Sequence, residues 1–362
     1  MTELTMERSQ QYYARYFKID ALLNLIGKKN FGNREFSYET FQPLGKRFVW
    51  HRNLSFATPE ELVTYMAKMG PRKLYFGAEY DRPLKPKVVT VDQAQWVQSH
   101  LRFDIDLDKS DSLRAYTCEC KGKMMCNKCV ELAKEGADFL IQTMADDFGI
   151  PASEAAIFFS GTRGLHIHYP NYKTFSNKLL DEIDPSLEIE DRRAIIRYLQ
   201  LVKEEKGHTT VASEIPSPTL RKRMQQTTIP WFFAKISIEV LKTFPWDGIN
   251  KSKAKAHLPK AKIESIISQI KRDMIIAISK KRALFNKSNA DAANLYYATV
   301  EQNALKYRYP RYDDTPTYDI KKVIKVPMSV DFNTGYLIQE IKLTDLYSIS
   351  MEDLCTIDHF LK

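Results

Sequence analysis

The sequence predicts a mixed fold of the α/β (α+β) class, in which a sheet of short strands is flanked by helices. Three observations support this prediction. Short runs in which apolar side chains recur with a period of two lie near both ends of the 362-residue chain, as in half-buried strands. Apolar residues spaced by three and four open the chain. A stretch rich in Lys, Ile, Leu and Ala and poor in Gly fills residues 175–305, so the sheet domain is expected to contain a helical insertion.

The first part of the chain alternates between helix and strand patterns. Residues 7–30 have aromatic and aliphatic side chains at helical spacing, which predicts a helix. A second helix is expected from Thr58 and Pro59, since Thr is a common N-cap and Pro is favoured in the first turn. Strands are expected at Arg34–Tyr38, Phe48–Trp50, Leu74–Tyr80 and Leu101–Asp106.

The rest of the chain predicts further helices and a return to strands. Helices are expected over residues 130–149, Ile263–Ile278 and Ala292–Tyr307. Strands are expected at Ala156–Phe159, Leu165–Tyr169, Tyr318–Val326 and Tyr336–Ile341. If the last two strands rejoin the N-terminal sheet, the core is discontinuous. The predicted core is then residues 1–174 and 306–362, and residues 175–305 are an inserted helical subdomain.

Composition limits the classes of partner and compartment. The formal net charge is +9 and the pI is near 9.0, which favours a polyanionic partner. The sequence has no run of about 18 apolar residues, and its N-terminus lacks the apolar stretch of a secretory signal. We therefore expect no membrane association. Five cysteines, four of them clustered, do not resemble a disulfide framework, so an intracellular, reducing location is expected.

The run Phe103–Asp108 alternates strictly between apolar and acidic residues. A strand sends successive side chains to opposite faces, so Asp104 and Asp106 would lie side by side on one face. Two carboxylates held this close repel each other unless a cation lies between them, and Mg²⁺ is commonly held by one or two carboxylates plus substrate phosphates. The run therefore indicates metal-dependent phosphate chemistry; a solvated edge strand with an acidic face is the alternative.

The segment Ser160-Gly161-Thr162-Arg163-Gly164-Leu165-His166 places a hydroxyl, a guanidinium and an imidazole near one tight turn. Arginine matches phosphate geometry through two-point contacts, so a triphosphate would bind well there. The alternative is an ordinary hairpin in which the arginine is solvated and the histidine is packed.

A cysteine cluster lies between these two motifs, over residues 118–129. Four thiolates within twelve residues can close a tetrahedral zinc site, which in this form is structural because no coordination position is open. Free or redox-active cysteines are the alternative. The predicted Zn²⁺ ligands are Cys118, Cys120, Cys126 and Cys129.

The predicted strand Tyr318–Val326 contains the fourth candidate motif. Asp319 could add a third carboxylate to the pair on the acidic strand, and Lys325 could neutralise phosphate. An exposed strand with alternating acidic and basic residues explains the same pattern equally well.

Together these motifs resemble the catalytic small subunit of the archaeal and eukaryotic type of DNA primase. Arg34-Glu35-Phe36, then Arg52 before Ser55-Phe56, precede the acidic strand. The cysteine cluster, the Ser-Gly-x-Arg-Gly-x-His turn and an Asp followed by Lys-x-Pro come after it. The likeness covers roughly residues 8–172 and 312–345 and does not extend to the insertion.

The resemblance implies a primase-type mixed sheet with a zinc knuckle, and it assigns a role to each candidate residue. Asp104, Asp106 and Asp319 would be the catalytic carboxylates and would bind two Mg²⁺ or Mn²⁺ ions. The triphosphate of the incoming nucleotide would be held by Ser160, Arg163, His166 and Lys325, with Arg52 near the same pocket.

The implied function is template-directed synthesis of short RNA primers from NTPs on single-stranded DNA during replication. The implied partners are a larger iron–sulfur subunit in a heterodimer, the single-stranded template and NTPs, with a replicative polymerase or a helicase as further candidates. Two alternatives stay open: a related primase-polymerase that extends or repairs ends, and a non-catalytic, zinc-stabilised nucleic-acid-binding module. The location would be the cytoplasm in an archaeon and the nucleus in a eukaryote.

One position departs from the family pattern. Where eukaryotic members have a histidine soon after the lysine, this chain has Asp331 in the context Ser329-Val330-Asp331. A carboxylate cannot donate a hydrogen bond to phosphate as an imidazolium can. Thr334 or a backbone amide is therefore expected to replace that contact.

Overall fold

A computed structural model describes residues 4–29, 31–41, 48–107, 120, 125–171, 185–205, 208–212, 215–227, 305 and 309–361. The chain divides into two compact units. The first contains Met1–Lys109, Cys120–Leu199 and Tyr312–Lys362, and the second contains Ser110–Glu119 and Gln200–Arg311. The first unit thus continues past residue 174, the predicted end of the first core segment, to Leu199.

The described helices are α1 (Met6–Arg15), α2 (Asp20–Ile26), α3 (Pro59–Met69), α4 (Asn127–Phe148), α5 (Pro185–Leu199), α6 (Pro218–Gln226) and α7 (Thr315–Tyr318). The described strands of the first half are β1 (Arg34–Glu39), β2 (Trp50–Leu54), β3 (Lys73–Tyr80), β4 (Trp96–Gln98), β5 (Leu101–Asp106), β6 (Ala156–Phe159) and β7 (Gly164–Tyr169). They are followed by β8 (Val202–Glu205), β9 (His208–Val211), β10 (Ile324–Lys325), β11 (Val330–Asp331), β12 (Tyr336–Leu337) and β13 (Glu340–Ile341).

The first unit contains a five-stranded antiparallel sheet in the order β10-β3-β1-β2, with β4 also paired to β3. Its apolar residues, including Phe36, Leu74 and Phe76, are almost fully buried in a core shared with α1, α2 and α3. Helix α3 begins as predicted: the Thr58 hydroxyl accepts a hydrogen bond from the backbone N–H of Glu61 (3.2 Å), which satisfies one of the unpaired donors of the first turn. Burial of this apolar face is the main term that stabilises the sheet.

A second antiparallel sheet of the same unit has the order β13-β6-β7-β5. Along β5 the apolar residues Leu101, Phe103 and Ile105 are at most 1% exposed, whereas Asp104 and Asp106 are partly exposed. The long helix α4 packs on β5 and β7. The predicted alternation of the acidic strand is confirmed, and one face of its strand carries the two carboxylates.

Several predicted elements differ from the structure. The single helix over residues 7–30 is two helices, α1 and α2, and the strand predicted at Phe48–Trp50 begins only at Trp50 and continues to Leu54. The strand predicted at Tyr318–Val326 is wrong over most of its length: α7 precedes Asp319, and only Ile324–Lys325 pairs as a strand. A prolyl first turn at Pro316 and nearby backbone turns override the alternation there.

The late strands are also shorter than expected. The segment Tyr336–Ile341 contains two separate two-residue strands, and these belong to different sheets: β12 pairs with β11, and β13 pairs with β6. The later pieces nevertheless rejoin both sheets of the first unit, because β10 pairs with β3 and β13 pairs with β6. The chain of this unit is therefore discontinuous in sequence.

The described part of the second unit contains a hairpin of β8 and β9 and the helix α6. The hairpin was not expected in a helical insertion. The helices predicted at Ile263–Ile278 and Ala292–Tyr307 lie outside the described residues, apart from single positions, so they stay predictions. In the part of the chain that is described, every helix is too short or too polar to cross a membrane.

Candidate active site

The acidic strand is an edge of its sheet, and its pairing with β7 places a histidine beside its first carboxylate. Asp104 is directly opposite His166 and Asp106 is opposite Gly164 in the antiparallel register. Directly opposed residues put their side chains on the same face. The Nε2 of His166 lies 3.9 Å from Oδ1 of Asp104, so the carboxylate and the imidazole share one small volume.

A carboxylate that sequence reasoning missed lies on the other side of Asp104. Asp313 forms an isolated antiparallel bridge with Asp104, and its backbone N–H donates to the carbonyl of Asp104 (2.8 Å). The pairing puts the Asp313 side chain on the same face as that of Asp104. Both residues are partly exposed. Asp104 therefore lies between a histidine and a second aspartate, with Asp106 two residues along the strand.

Asp319, the predicted third carboxylate, follows α7 and lies near arginines. Its backbone carbonyl accepts a hydrogen bond from Arg102 (3.4 Å), and its side-chain Oδ1 accepts one from the backbone N–H of Lys321 (3.0 Å). Arg102 projects from the same face of β5 as Asp104. The structure thus gives Asp319 a position beside Arg102 and gives Asp313 the direct pairing with Asp104.

The turn between β6 and β7 is closed by its own backbone and by Ser160. The Ser160 hydroxyl accepts a hydrogen bond from the Gly164 N–H (3.1 Å), and its backbone N–H donates to the Gly164 carbonyl (3.0 Å). Gly161 has a φ of +78°, and a Cβ at Gly164 would lie 2.0 Å from the carbonyl oxygen of Ile105. Both glycines are therefore required by the backbone, the first by its conformation and the second by close approach to the acidic strand.

Arg163 lies in that turn and His166 follows it in β7, and the two side chains have different environments. Arg163 is partly exposed, and its carbonyl accepts a hydrogen bond from Leu107 at the end of the acidic strand (3.1 Å). His166 is 5% exposed. Burial, with the positive charge of Lys325 next in importance, holds the pKa of His166 well below its ordinary value, so its ring is neutral at neutral pH.

Lys325, which the sequence suggested as a phosphate-binding residue, lies next to the turn. Its Nζ donates to the carbonyl of Ser160 (2.6 Å) and forms an ion pair with Oδ2 of Asp331 (2.7 Å). Strand β10 is thereby joined to the start of the turn, and the ammonium group of Lys325 lies beside the residues predicted to hold a triphosphate.

Arg52 forms hydrogen bonds with a buried glutamate and a backbone carbonyl. Its guanidinium donates to both carboxylate oxygens of the buried Glu35 (2.9 and 3.0 Å) and to the carbonyl of Lys321 (2.7 Å). Burial acts to lower the pKa of Arg52, but the hydrogen-bonded Glu35 outweighs it and raises the pKa. The negative charge of Asp319 also contributes to raising the pKa of Arg52.

Three of the four predicted zinc ligands are described, and they cluster. The sulfur atoms of Cys120, Cys126 and Cys129 all lie within 4.8 Å of one another, with 3.7 Å between Cys126 and Cys129 and 3.2 Å between Cys120 and Cys129. Tetrahedral zinc with Zn–S bonds of about 2.3 Å needs sulfur separations of about 3.8 Å, which the first pair matches and the second falls short of. Three clustered thiols are the type of donor that zinc prefers. Cys126 is the N-cap of α4, so the start of this long helix fixes its position. Cys118 lies outside the described residues.

Comparison with known proteins identifies the family. A family model described as DNA primase small subunit matches residues 103–343, a span that includes the acidic strand, the turn and Lys325. The chain therefore belongs to the DNA primase small subunit family, as its motifs predicted.

Individual relatives are archaeal and differ in how much of their length is matched. A DNA primase small subunit PriS of Archaeoglobus fulgidus is 31% identical over 55% of this chain and 53% of its own. The same-named protein of Pyrobaculum calidifontis is 29% identical over 53% of this chain and 52% of its own. The chain thus spans about half the length of these two relatives. A third, from Methanoregula boonei, is 21% identical over 96% of this chain and 84% of its own.

Proposed function

We propose that this protein is a nucleotidyltransferase that synthesises RNA primers on single-stranded DNA, as the catalytic subunit of a primase. The observation that supports this best is the face of β5 on which Asp104 lies between His166 and Asp313. Three carboxylates, a turn with phosphate-binding side chains and a neighbouring lysine form a site for metal-assisted phosphoryl transfer.

The donor set at this face is suited to hard divalent cations. Asp104, Asp106 and Asp313 offer carboxylate oxygens that are partly exposed on one strand face, which is the chemistry that Mg²⁺ and Mn²⁺ prefer. Two such ions, when bound, would neutralise phosphate charge and make the attacking hydroxyl more acidic. We assign these three residues to hold them, with Asp313 in place of the predicted Asp319.

The chain's own residues would bind and orient the nucleotide. The Ser160 hydroxyl proton, the Arg163 guanidinium and the Lys325 ammonium group are donors that match phosphate oxygens. His166 is neutral while the site is free of anions, and a bound triphosphate would favour its protonated, donating form. Transfer then depends on holding the α-phosphate in line with a 3′-hydroxyl beside the acidic face.

The decisive experiment is primer synthesis on single-stranded DNA from labelled NTPs, without an added primer. Wild-type protein is expected to start chains, and Asp104→Ala and Asp106→Ala are expected to abolish synthesis while template binding persists. Asp345→Ala, which changes an exposed carboxylate outside the site, is the matched control and should keep full activity. Synthesis retained in both site variants would exclude the proposal, and synthesis only on primed templates would support an end-extending polymerase.

The cysteine cluster is proposed as a structural zinc site. Metal analysis of freshly purified protein is expected to give one Zn²⁺ per chain, and Cys129→Ser is expected to lower this and the unfolding temperature together, because metal binding contributes folding free energy. Cys355→Ser, at a cysteine outside the cluster, is the control. Substoichiometric zinc in folded wild-type protein would contradict the assignment.

The family name implies a larger partner subunit, and we propose a heterodimer with an iron–sulfur large subunit that helps to begin the primer. Repeating the synthesis assay with and without such a subunit tests this. An increase in chain starts, with chain extension unchanged, is the expected result, and equal rates of starting in both reactions would contradict the proposed division of labour.

A further inference from the structure

Asp331 stands where the sequence departs from the family pattern, and it is fully buried. Its Oδ2 lies 2.7 Å from Nζ of Lys325 and 3.5 Å from Nζ of Lys73. The two lysines come from β10 and β3, which are neighbours in the first sheet. One carboxylate therefore serves two ammonium groups, and the cluster has a net charge of +1.

This carboxylate is ionised because its neighbours compensate for burial. Burial alone would raise the pKa of Asp331, but Lys325 and Lys73, together with a hydrogen bond from the backbone N–H of Asn333, hold that pKa below its ordinary value. A charge inside a protein persists only when it is paired in this way. The two lysines are thus fixed by a buried ionised partner, and not by solvent.

The hairpin of β11 and β12 that carries Asp331 also packs behind the turn. The Thr334 hydroxyl donates to the carbonyl of Gly161 (2.5 Å), and a Cβ on Gly161 would lie 3.0 Å from Cβ of Asp331. Thr334 is 1% exposed, so its hydroxyl is committed to the backbone and does not supply the expected phosphate contact. Lys325 adds a third link between this hairpin and the turn, through the carbonyl of Ser160.

We propose that Asp331 is a positioning residue for nucleotide binding, which acts by fixing the ammonium group of Lys325 against the turn. An ammonium group has three donors. The Ser160 carbonyl and Asp331 take two of the Lys325 donors, and the third is left for a phosphate oxygen. This inference rests on the proposed function, since it assumes that the turn binds a triphosphate.

A purely electrostatic role for Asp331 predicts the opposite result. If the carboxylate only cancelled positive charge, its removal would raise the net charge of the cluster from +1 to +2 and strengthen binding of an anion. If it positions Lys325, its removal leaves a mobile ammonium group and weakens binding. The direction of the change in nucleotide affinity therefore distinguishes the two roles.

The test is equilibrium binding of ATP in the presence of Mn²⁺ to the full chain, followed by the KM and kcat of synthesis. Asp331→Asn is expected to weaken ATP binding about tenfold, the scale of one charge-assisted hydrogen bond. In a Lys325→Met background the same substitution should change affinity less than about twofold, because its effect passes through that lysine. Unchanged or tighter binding, or an equal loss in both backgrounds, would overturn the proposal.

Two further variants guard against trivial explanations. Glu79→Gln neutralises another buried carboxylate, which lies 3.7 Å from Arg34 and accepts a hydrogen bond from Gln98 (2.8 Å), and ATP affinity should not change. If Asp331→Asn does not fold, Asp331→Glu keeps the charge but displaces it by one methylene, and it should weaken binding by about threefold; equal or tighter binding overturns the proposal. Wild-type protein that binds ATP but makes no primers would contradict the proposed function alone.

Discussion

The two parts of the candidate site are built in different ways. The strand pair β5 and β7 places Asp104, Asp106 and His166 by regular antiparallel register, so each residue's face follows from its position in sequence. The segment from Arg311 to Ile341 contributes Asp313, Lys325 and Asp331 from strands of two residues, an isolated bridge and a short helix. Backbone hydrogen bonds alone set a regular antiparallel register. The later segment is instead held in place by particular side chains from other parts of the chain.

Two buried arginines hold the later segment in place. Arg102 donates to the carbonyls of Pro316 (2.8 Å) and Lys322, and Arg192 donates to the carbonyls of Thr317 (3.2 Å) and His100 (2.9 Å). Burial, with the charge of Arg192 close by, lowers the pKa of Arg102 to about 9. Backbone carbonyls that lack a sheet partner are satisfied by these guanidinium groups, which makes an irregular segment rigid.

The strand pair of β5 and β7 should tolerate an added methyl group less well than the later segment does. A methyl group at Gly164 would meet the Ile105 carbonyl at 2.0 Å, so Gly164→Ala is expected to lower the free energy of unfolding by about 3 kcal/mol or more. Gly335 in the later segment has a φ of +79°, but a Cβ there would make only ordinary van der Waals contacts, the nearest with the side chain of Leu4 at 3.5 Å. Gly335→Ala should therefore lower the free energy of unfolding by only about 1–2 kcal/mol. Urea unfolding of both variants measures the difference, and equal losses would show that the pairing adapts.

The contrast also explains how much the sequence predicts. Alternation in Phe103–Asp108 encodes both the strand and its acidic face, and the glycines of the turn mark its ends; these predictions are confirmed by the register. Asp313 carries no local pattern of that kind, because its position depends on a bridge to Asp104, 209 residues away in sequence. Asp319 lies in an alternating run, yet it follows a helical turn at Thr315–Tyr318 and its carbonyl accepts a hydrogen bond from Arg102.

The later segment should contribute to the chemistry through Asp313 more than through Asp319. Removing a residue that supports a metal ligand typically lowers metal affinity or activity 10–100-fold. Removing a metal ligand itself should therefore lower activity by more than about 100-fold, which is about 2.7 kcal/mol in activation free energy. Asp313→Asn is expected to lower kcat/KM of primer synthesis by at least this factor. Asp319→Asn, the matched variant, should cost less than about tenfold, because its contacts are to Lys321 and Arg102.

The dependence of this loss on metal concentration adds a control. If Asp313 binds the metal, added Mn²⁺ should recover part of the lost activity in Asp313→Asn and little in Asp319→Asn. A larger loss in the Asp319 variant, with recovery by Mn²⁺, would return the third ligand to the residue that the sequence motif suggested.

The strand-pair region should also be the acid-sensitive one, because the segment Arg311–Ile341 contains no histidine. Burial holds the pKa of His100 and His166 well below its ordinary value and lowers that of His168 to about 3. Since the unfolded chain binds protons near pH 6.5 and these folded residues do not, stability is complete above that pH and falls as the pH drops below it. Each of these three histidines should lower the free energy of unfolding by about 1.4 kcal/mol between pH 7.5 and pH 5.5.

A substitution of His168 measures the contribution of one histidine to this acid sensitivity. His168 is 1% exposed and stacks on Phe76 with 5.9 Å between ring centroids, so His168→Phe keeps an aromatic ring there and removes a titrating group. Urea unfolding at pH 7.5 and at pH 5.5 should show a loss smaller by about 1.4 kcal/mol than that of the wild type. If His168→Phe lost as much stability as the wild type between these two pH values, the acid sensitivity would arise from other groups than His168.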